Sequence, residues 1–329
     1  MEFGFRAVSE QFSPTELLQQ AIDVEMVGFD FITISDHFHP WFHTEAHSPF
    51  SWVWIASAAQ ATNKIRIGTG VTSPIFRYNP AVIAQAFATL DSLYPNRIFL
   101  TLGTGEGMNE VPVGYAWPPF SERAEKLEEA LEIIRSLWRG SFVDFTGKHF
   151  KLRGANLYTK PNGRILVFIA ARGRNMARFS GRRADGLYTH SAPHESLKRL
   201  LAEYERGRKE GDRGDGKSRA MIELLISYSE DHDDALRAIE RWRSTAVPKG
   251  VSISLHDPRR LEELGSKVTV DEMKKKWFIC RSPDEIIERV EEHLSLGFTA
   301  IEFHLARPDD ARVIDLLARK VLPYFREKR

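Results

Sequence analysis

The densest run of chemically capable side chains is Ser35-Asp36-His37-Phe38-His39-Pro40-Trp41-Phe42-His43, with Glu45 and His47 close behind. Four of the eleven histidines fall between His37 and His47, beside one aspartate and a tryptophan. Such a mixture suits proton transfer next to a flat ligand: imidazole exchanges protons near neutral pH, and an indole can wall a bound ring. A polar loop with incidental histidines fits the same residues. So does a metal-dependent hydrolase, for which His37-x-His39 would supply two ligands.

A second cluster is Gly103-Thr104-Gly105-Glu106-Gly107-Met108-Asn109-Glu110, where glycines admit a close approach of backbone to a flat ligand or phosphate. Its spacing is not the dinucleotide fingerprint. Glu106 is its chemically interesting member, because a carboxylate enclosed on a catalytic face can serve as an acid. The third cluster, Ala170-Ala171-Arg172-Gly173-Arg174-Asn175, combines small residues, two arginines and a predicted helix start, which together favour an anion. No Gly-x-Ser-x-Gly elbow occurs, and Glu210–Lys217 (EGDRGDGK) reads as a polar turn, so no Walker loop is expected.

The elements that must position these clusters follow a regular rhythm. Short apolar runs at Glu2–Ala7, Phe29–Ser35, Lys64–Thr72, Ile98–Gly103, Ile165–Ala171, Gly186–Thr189, Met221–Ser227 and Thr299–His304 predict eight strands. Amphipathic stretches lie at Pro14–Val27, Pro80–Leu93, Glu122–Trp138, Asn175–Arg183, Glu195–Glu210, Asp233–Ser244, Pro283–Leu296 and Pro308–Phe325. Alternation of this kind over 329 residues predicts one α/β domain, a (β/α)8 TIM barrel, with insertion segments on the catalytic face. Ser141–Leu152 reads as a hairpin around Thr146-Gly147-Lys148, and Val247–Lys275 as a long loop. In a barrel, residues just past a strand's C-terminal end face the active site, which brings the three clusters to one rim. The hydrolase would also need a Lys or His ending strand five and a carboxylate ending strand eight. The chain offers Ala170-Ala171-Arg172 and His304-Leu305-Ala306, so no metal is expected.

Composition sets the setting. Lys plus Arg total 46 against 45 Asp plus Glu, a net charge of +1 that supplies no global field for nucleic acid or anionic lipid. No segment approaches the length of a membrane span, and MEFGFRAVSEQF lacks the basic-then-apolar order of a secretory signal. The single cysteine, Cys280, allows no intrachain disulfide and is expected in the core of a cytoplasmic protein.

Taken together, Ser9-Glu10-Gln11-Phe12, the SDHFHPW segment, Phe76-Arg77-Tyr78-Asn79-Pro80 running into AVIAQAFATL, Leu93-Tyr94-Pro95-Asn96-Arg97 and the GTGEGMNE loop resemble the coenzyme F420-dependent dehydrogenases of the luciferase-like superfamily. The resemblance covers nearly the whole chain. It implies a TIM barrel, usually a homodimer, with the deazaflavin of F420 in the mouth. Asp36, Gly70, Val71, Thr104, Glu106 and Asn109 would then surround the ring, Ala171, Arg172, Gly173, Arg174 and Asn175 would hold the phosphate, and Gly70–Val71 would be a cis peptide. His37 is the implied base and Glu106 the acid, while Trp41 walls the substrate and Glu10 orients a hydroxyl. The implied reaction moves hydride from a carbinol carbon of a small molecule, with a sugar phosphate of the glucose-6-phosphate type as first choice and a secondary alcohol as second. The family's three basic phosphate ligands match Pro193, Ser252 and Lys276, so the phosphate site is altered; His190, His194, Lys198 and Lys249 lie near those positions, and His190 and Lys276 are the candidate substrate ligands.

Overall fold

The computed structural model describes residues 1–211, 216–307 and 311–327. Eleven strands are present among them: β1 Glu2–Ala7, β2 Phe31–Ile34, β3 Arg66–Thr69, β4 Ile98–Leu102, β5 Val143–Thr146, β6 Lys151–Ala155, β7 Leu166–Ala170, β8 Gly186–His190, β9 Ala220–Tyr228, β10 Phe278–Cys280 and β11 Ala300–Leu305. Parallel pairing runs β9-β11-β1-β2-β3-β4-β7-β8 and returns to β9, closing an eight-stranded barrel. These are the eight strands that the apolar runs predict. β5 and β6 form the separate antiparallel hairpin. The nine-residue β9 outruns β8, and β10 pairs with its last three residues, Ile226 to Tyr228, above the barrel proper.

Several helices begin where the sequence carries caps. Ser13 and Glu16 form a reciprocal capping box with Pro14 in the first turn of Pro14–Met26; Asn79 caps Pro80–Leu93, and Ser282 caps Pro283–Ser295. The helix Ser51–Ala61 escapes the amphipathic search because SWVWIASAAQA is apolar almost all round and no side chain caps it. Val247–Lys275, expected as a loop, instead holds short helices at Lys249–Ser252, Pro258–Gly265 and Val270–Lys274. Helices this short show no sustained period, although Asp257 before Pro258 and the Thr269/Glu272 capping box mark two of their starts. The expected turn at Glu210–Lys217 and helix at Pro308–Phe325 lie partly outside the described residues; within them, helix runs from Ala311 to Glu327 through a π turn at Leu317–Val321.

The barrel interior is layered. Phe31, Phe99, Phe168, Tyr188, Met221 and Ala300 pack together at its lower end. Glycines face the bulkiest rings: a side chain at Gly4 would occupy the space of Phe31, and one at Gly68 that of Phe99. Two residues further along the strands the interior turns polar, at Arg6, Thr33, Glu223 and Glu302, and the Tyr188 hydroxyl reaches into this layer. The rim above carries the candidate site.

Candidate active site

Three strand ends deliver the central group. Glu10 follows β1, His37 follows β2, and Glu106 with Asn109 follows β4. Glu10 is 3% exposed and its Oε2 accepts from Ser35 Oγ at 3.1 Å, while His37 Nε2 lies 3.2 Å from Glu10 Oε1. The other ring nitrogen, Nδ1, stands 3.3 Å from Asn109 Oδ1 and 3.2 Å from Asn109 Nδ2, with Glu106 Oε2 at 3.8 Å. Asn109 Oδ1 also accepts the Phe38 N–H at 2.9 Å, which fixes the amide. A protonated Nδ1 can therefore donate to Oδ1, and a bare one can accept from Nδ2. The Trp41 ring meets His37 edge to face at 6.0 Å.

Electrostatics bind this group together. Burial alone would raise the Glu10 carboxyl, but the hydrogen bond and charge of His37, with Arg6 behind, bring it down to about 2. Burial alone would lower His37, but Glu10 and then Glu106 outweigh it and hold the imidazole above its usual 6.5.

Asp36 is placed differently from its neighbour. Its carboxylate accepts from Thr72 Oγ1 at 2.6 Å, Arg77 Nη2 at 2.9 Å and Tyr78 OH at 3.1 Å, so it ties β2 to the Thr72–Tyr78 segment. Gly70–Val71 is cis, and Arg6 donates to the Gly70 carbonyl. Arg123 holds the glycine loop through the carbonyls of Thr104 at 3.0 Å and Gly105 at 3.4 Å, and Gly105 takes φ +72, a conformation that favours glycine.

The anion cluster lies at the end of β7. Ala171 is buried, and Arg172, Gly173, Arg174 and Asn175 are exposed where the helix Arg174–Arg183 starts with no side-chain cap on its free N–H groups. Lys276 is half-buried and donates to the Thr245 carbonyl. Burial, and then repulsion from Arg172, bring its ammonium down to about 8, so the two cations share one electrostatic environment. Of the other clamp positions, Pro193 precedes the helix His194–Glu210 and Ser252 is buried; neither carries charge. His190 ends β8 in register with Glu223.

Sequence reasoning missed the layer beneath. Arg6 Nη1 donates to Thr33 Oγ1 at 3.1 Å and lies 3.8 Å from Glu302 Oε2; Tyr188 OH donates to Glu302 Oε2 at 2.6 Å, and Glu223 pairs with His304 Nδ1 at 2.7 Å. The available signal was a charge inside an otherwise apolar strand: Arg6 in FGFRA, Glu223 in MIELLIS and Glu302 in AIEFHL. The turn reading also needs a correction. Gly211, Gly216, Lys217 and Ser218 do satisfy the Gly-x4-Gly-Lys-Ser pattern. They follow a helix and precede β9, the reverse of the strand-loop-helix order that a phosphate loop requires, and residues 212–215 lie outside the described residues.

A family model for luciferase-like monooxygenases matches residues 1–300. The chain belongs to the luciferase-like family. An F420-dependent glucose-6-phosphate dehydrogenase of Mycobacterium tuberculosis (strain CDC 1551 / Oshkosh) is 39% identical over 330 residues, covering 99% of this chain and 98% of that one. Its counterpart in Nocardia farcinica (strain IFM 10152) is 40% identical over 331 residues with the same coverage. An F420-dependent secondary alcohol dehydrogenase, solved with an F420-acetone adduct, superposes with a TM-score of 0.92 at 34% identity over 97% of both chains. Within this luciferase-like barrel, the carboxylate, imidazole and amide lie on the rim where the fold places its chemistry.

Proposed function

We propose that the chain is an F420-dependent dehydrogenase that oxidises a carbinol carbon of a sugar phosphate of the glucose-6-phosphate type. The observation that carries this reading is the buried Glu10–His37 pair, 3.2 Å apart, with Asn109 and Glu106 on the far side of the ring. Bound F420 would supply the hydride acceptor. The residues fit such a group: the glycine loop offers backbone without side chains, and the uncapped helix start at Arg174, with Arg172 just before it, favours a phosphate. Gly70, Val71, Thr104 and Asn109 would line the ring, Ala171 to Asn175 would hold the cofactor phosphate, and Asp36 would act by fixing β2 against Thr72.

His37 takes the substrate hydroxyl proton. Glu10 keeps the imidazole aligned and stabilises it once charged, and the two-sided Asn109 amide accommodates both protonation states without rearrangement. Glu106, across the ring, is the candidate acid for the opposite face of the site. Trp41 supplies an apolar wall. Lys276 is the substrate-phosphate ligand of this scheme, and His190 contributes at the β8 edge.

Exposed Phe50, Val53 and Val82, near the starts of neighbouring helices, support a homodimer, and buried Cys280 suits a reducing cytoplasm. No helix among the described residues is long and apolar enough to cross a membrane. The whole chain works as one barrel domain with its two insertions.

A secondary alcohol is the second reading, favoured by the uncharged Pro193 and Ser252. The deciding experiment follows loss of F420 absorbance with glucose 6-phosphate, free glucose and isopropanol, in the wild type and in Lys276→Ala. A glucose-6-phosphate lead that Lys276→Ala selectively removes supports the sugar-phosphate reading. Preference for isopropanol replaces it with the second, and tighter binding of FMN than of F420 overturns both.

A further inference from the structure

Apart from the Glu10/His37 group, two histidines and a carboxylate gather where the first turn of helix His194–Glu210 meets the last turn of helix Pro283–Ser295. One ligand-capable atom from each of His194, Glu292 and His293 lies within 4.8 Å of the other two. His194 Nε2 stands 3.8 Å from Glu292 Oε2, and the two imidazoles meet edge to face at 5.6 Å.

His293 separates this cluster from an ordinary surface group. Its side chain is completely buried against Phe278 and Phe298. Its Nδ1 lies 2.6 Å from the Arg289 carbonyl. A carbonyl oxygen can only accept, so Nδ1 carries the hydrogen and Nε2 is a bare lone pair. Among the described residues nothing hydrogen-bonds to Nε2. A histidine whose Nδ1–H is fixed on a backbone carbonyl and whose Nε2 is bare and buried has the orientation that metal-ligating histidines take.

We propose that His194, Glu292 and His293 form a binding site for a divalent transition metal of the zinc class, with water completing the coordination. Two imidazoles and one carboxylate select zinc-like ions over calcium or magnesium, which prefer all-oxygen sites. Arg289 competes for the site, since its guanidinium spans both Glu292 oxygens at 3.0 Å. It is more than a third exposed and can swing away as the ion enters. The site joins the helix after β8 to the helix after β10, and β10 begins two residues beyond Lys276. Occupancy would brace the segment that carries Lys276.

The test uses the untagged full chain, stripped with a chelator. Zinc is titrated by calorimetry, and cobalt by the visible absorption of a low-symmetry cobalt site. Saturable binding is expected, weakened at least tenfold by His194→Ala and by Glu292→Gln, both altering accessible side chains, and unchanged by His43→Ala in the other histidine cluster. Arg289→Ala should tighten it by removing the competing cation. No saturable binding in the wild type, binding that survives both ligand variants, or weaker binding in Arg289→Ala would overturn the proposal.

Discussion

Glu10 and His37 face each other across the ends of β1 and β2, carboxylate to imidazole at 3.2 Å, and both are nearly closed to solvent. Neither strand holds a functional group by itself. The pairing register that sets Arg6 beside Thr33 and Ala7 beside Ile34 is what brings the two following residues into reach.

The pair sets a pH dependence. His37 works as a base only when unprotonated, and its pKa lies above 6.5, so kcat/KM should fall as pH drops through that raised value. Glu10→Gln removes the main partner that raises it, and the acidic limb should move to lower pH. A pH–rate profile of the two enzymes checks this, and an unmoved limb would remove Glu10 from its role. The stability linkage has two edges. Glu10, depressed to about 2, contributes fully above its ordinary 4.5 and loses the contribution as pH falls toward 2; His37, raised, contributes fully below 6.5 and loses it as pH climbs through the raised value. The difference in Tm between wild type and Glu10→Gln should therefore be largest between about pH 4.5 and 6.5.

Loss of the proton-transfer groups should be kinetic. His37→Ala or Glu106→Gln is expected to lower kcat by about 10²–10⁴-fold with F420 affinity kept within about tenfold, the range for a missing acid or base. Steady-state kinetics beside a fluorescence titration of cofactor separate the two effects, and near-normal turnover in His37→Ala would exclude it as the base.

The Trp41 and His37 rings meet edge to face with centroids 6.0 Å apart, and the indole contributes shape rather than a proton. Trp41→Ala should raise KM several-fold more than it lowers kcat. An unchanged KM would show that the indole does not wall the substrate.

Arg6 is the cation of a buried layer that holds Glu223 and Glu302. Arg6→Met would strand those carboxylates and release the Gly70 carbonyl, so urea unfolding should show a loss of about 3–5 kcal/mol. A loss under about 1 kcal/mol would mean that Tyr188, Thr33 and His304 satisfy the carboxylates without it.

The barrel was legible because its strands are mostly apolar and several of its helices carry caps that short-range chemistry dictates, such as Ser13/Glu16 and Asn79-Pro80. Helix Ser51–Ala61 was not, since burial on several sides erases the amphipathic signal on which periodicity depends. The rim clusters could be found because loop residues with acid–base chemistry stand out against strand and helix. Arg6, Tyr188, Glu223 and Glu302 could not be joined from sequence: one of their bonds spans 114 residues and another 182, distances that only closure of the sheet turns into contact. Lys276 and Arg172 likewise come from separate loops, and their mutual repulsion has no trace in either loop alone.

The Val247–Lys275 insertion fastens to both halves of the site. Ile253 O takes the Gly107 N–H at 2.9 Å in the glycine loop, and His256 O meets His39 Nδ1 at 2.8 Å, two residues beyond His37. One peptide segment thus grips the glycine loop and the segment that carries His37 and Trp41 together. On the proposed function, residence time and selectivity become two readings of a single clasp, and edits to this insertion that admit a new alcohol should also change how fast cofactor is exchanged.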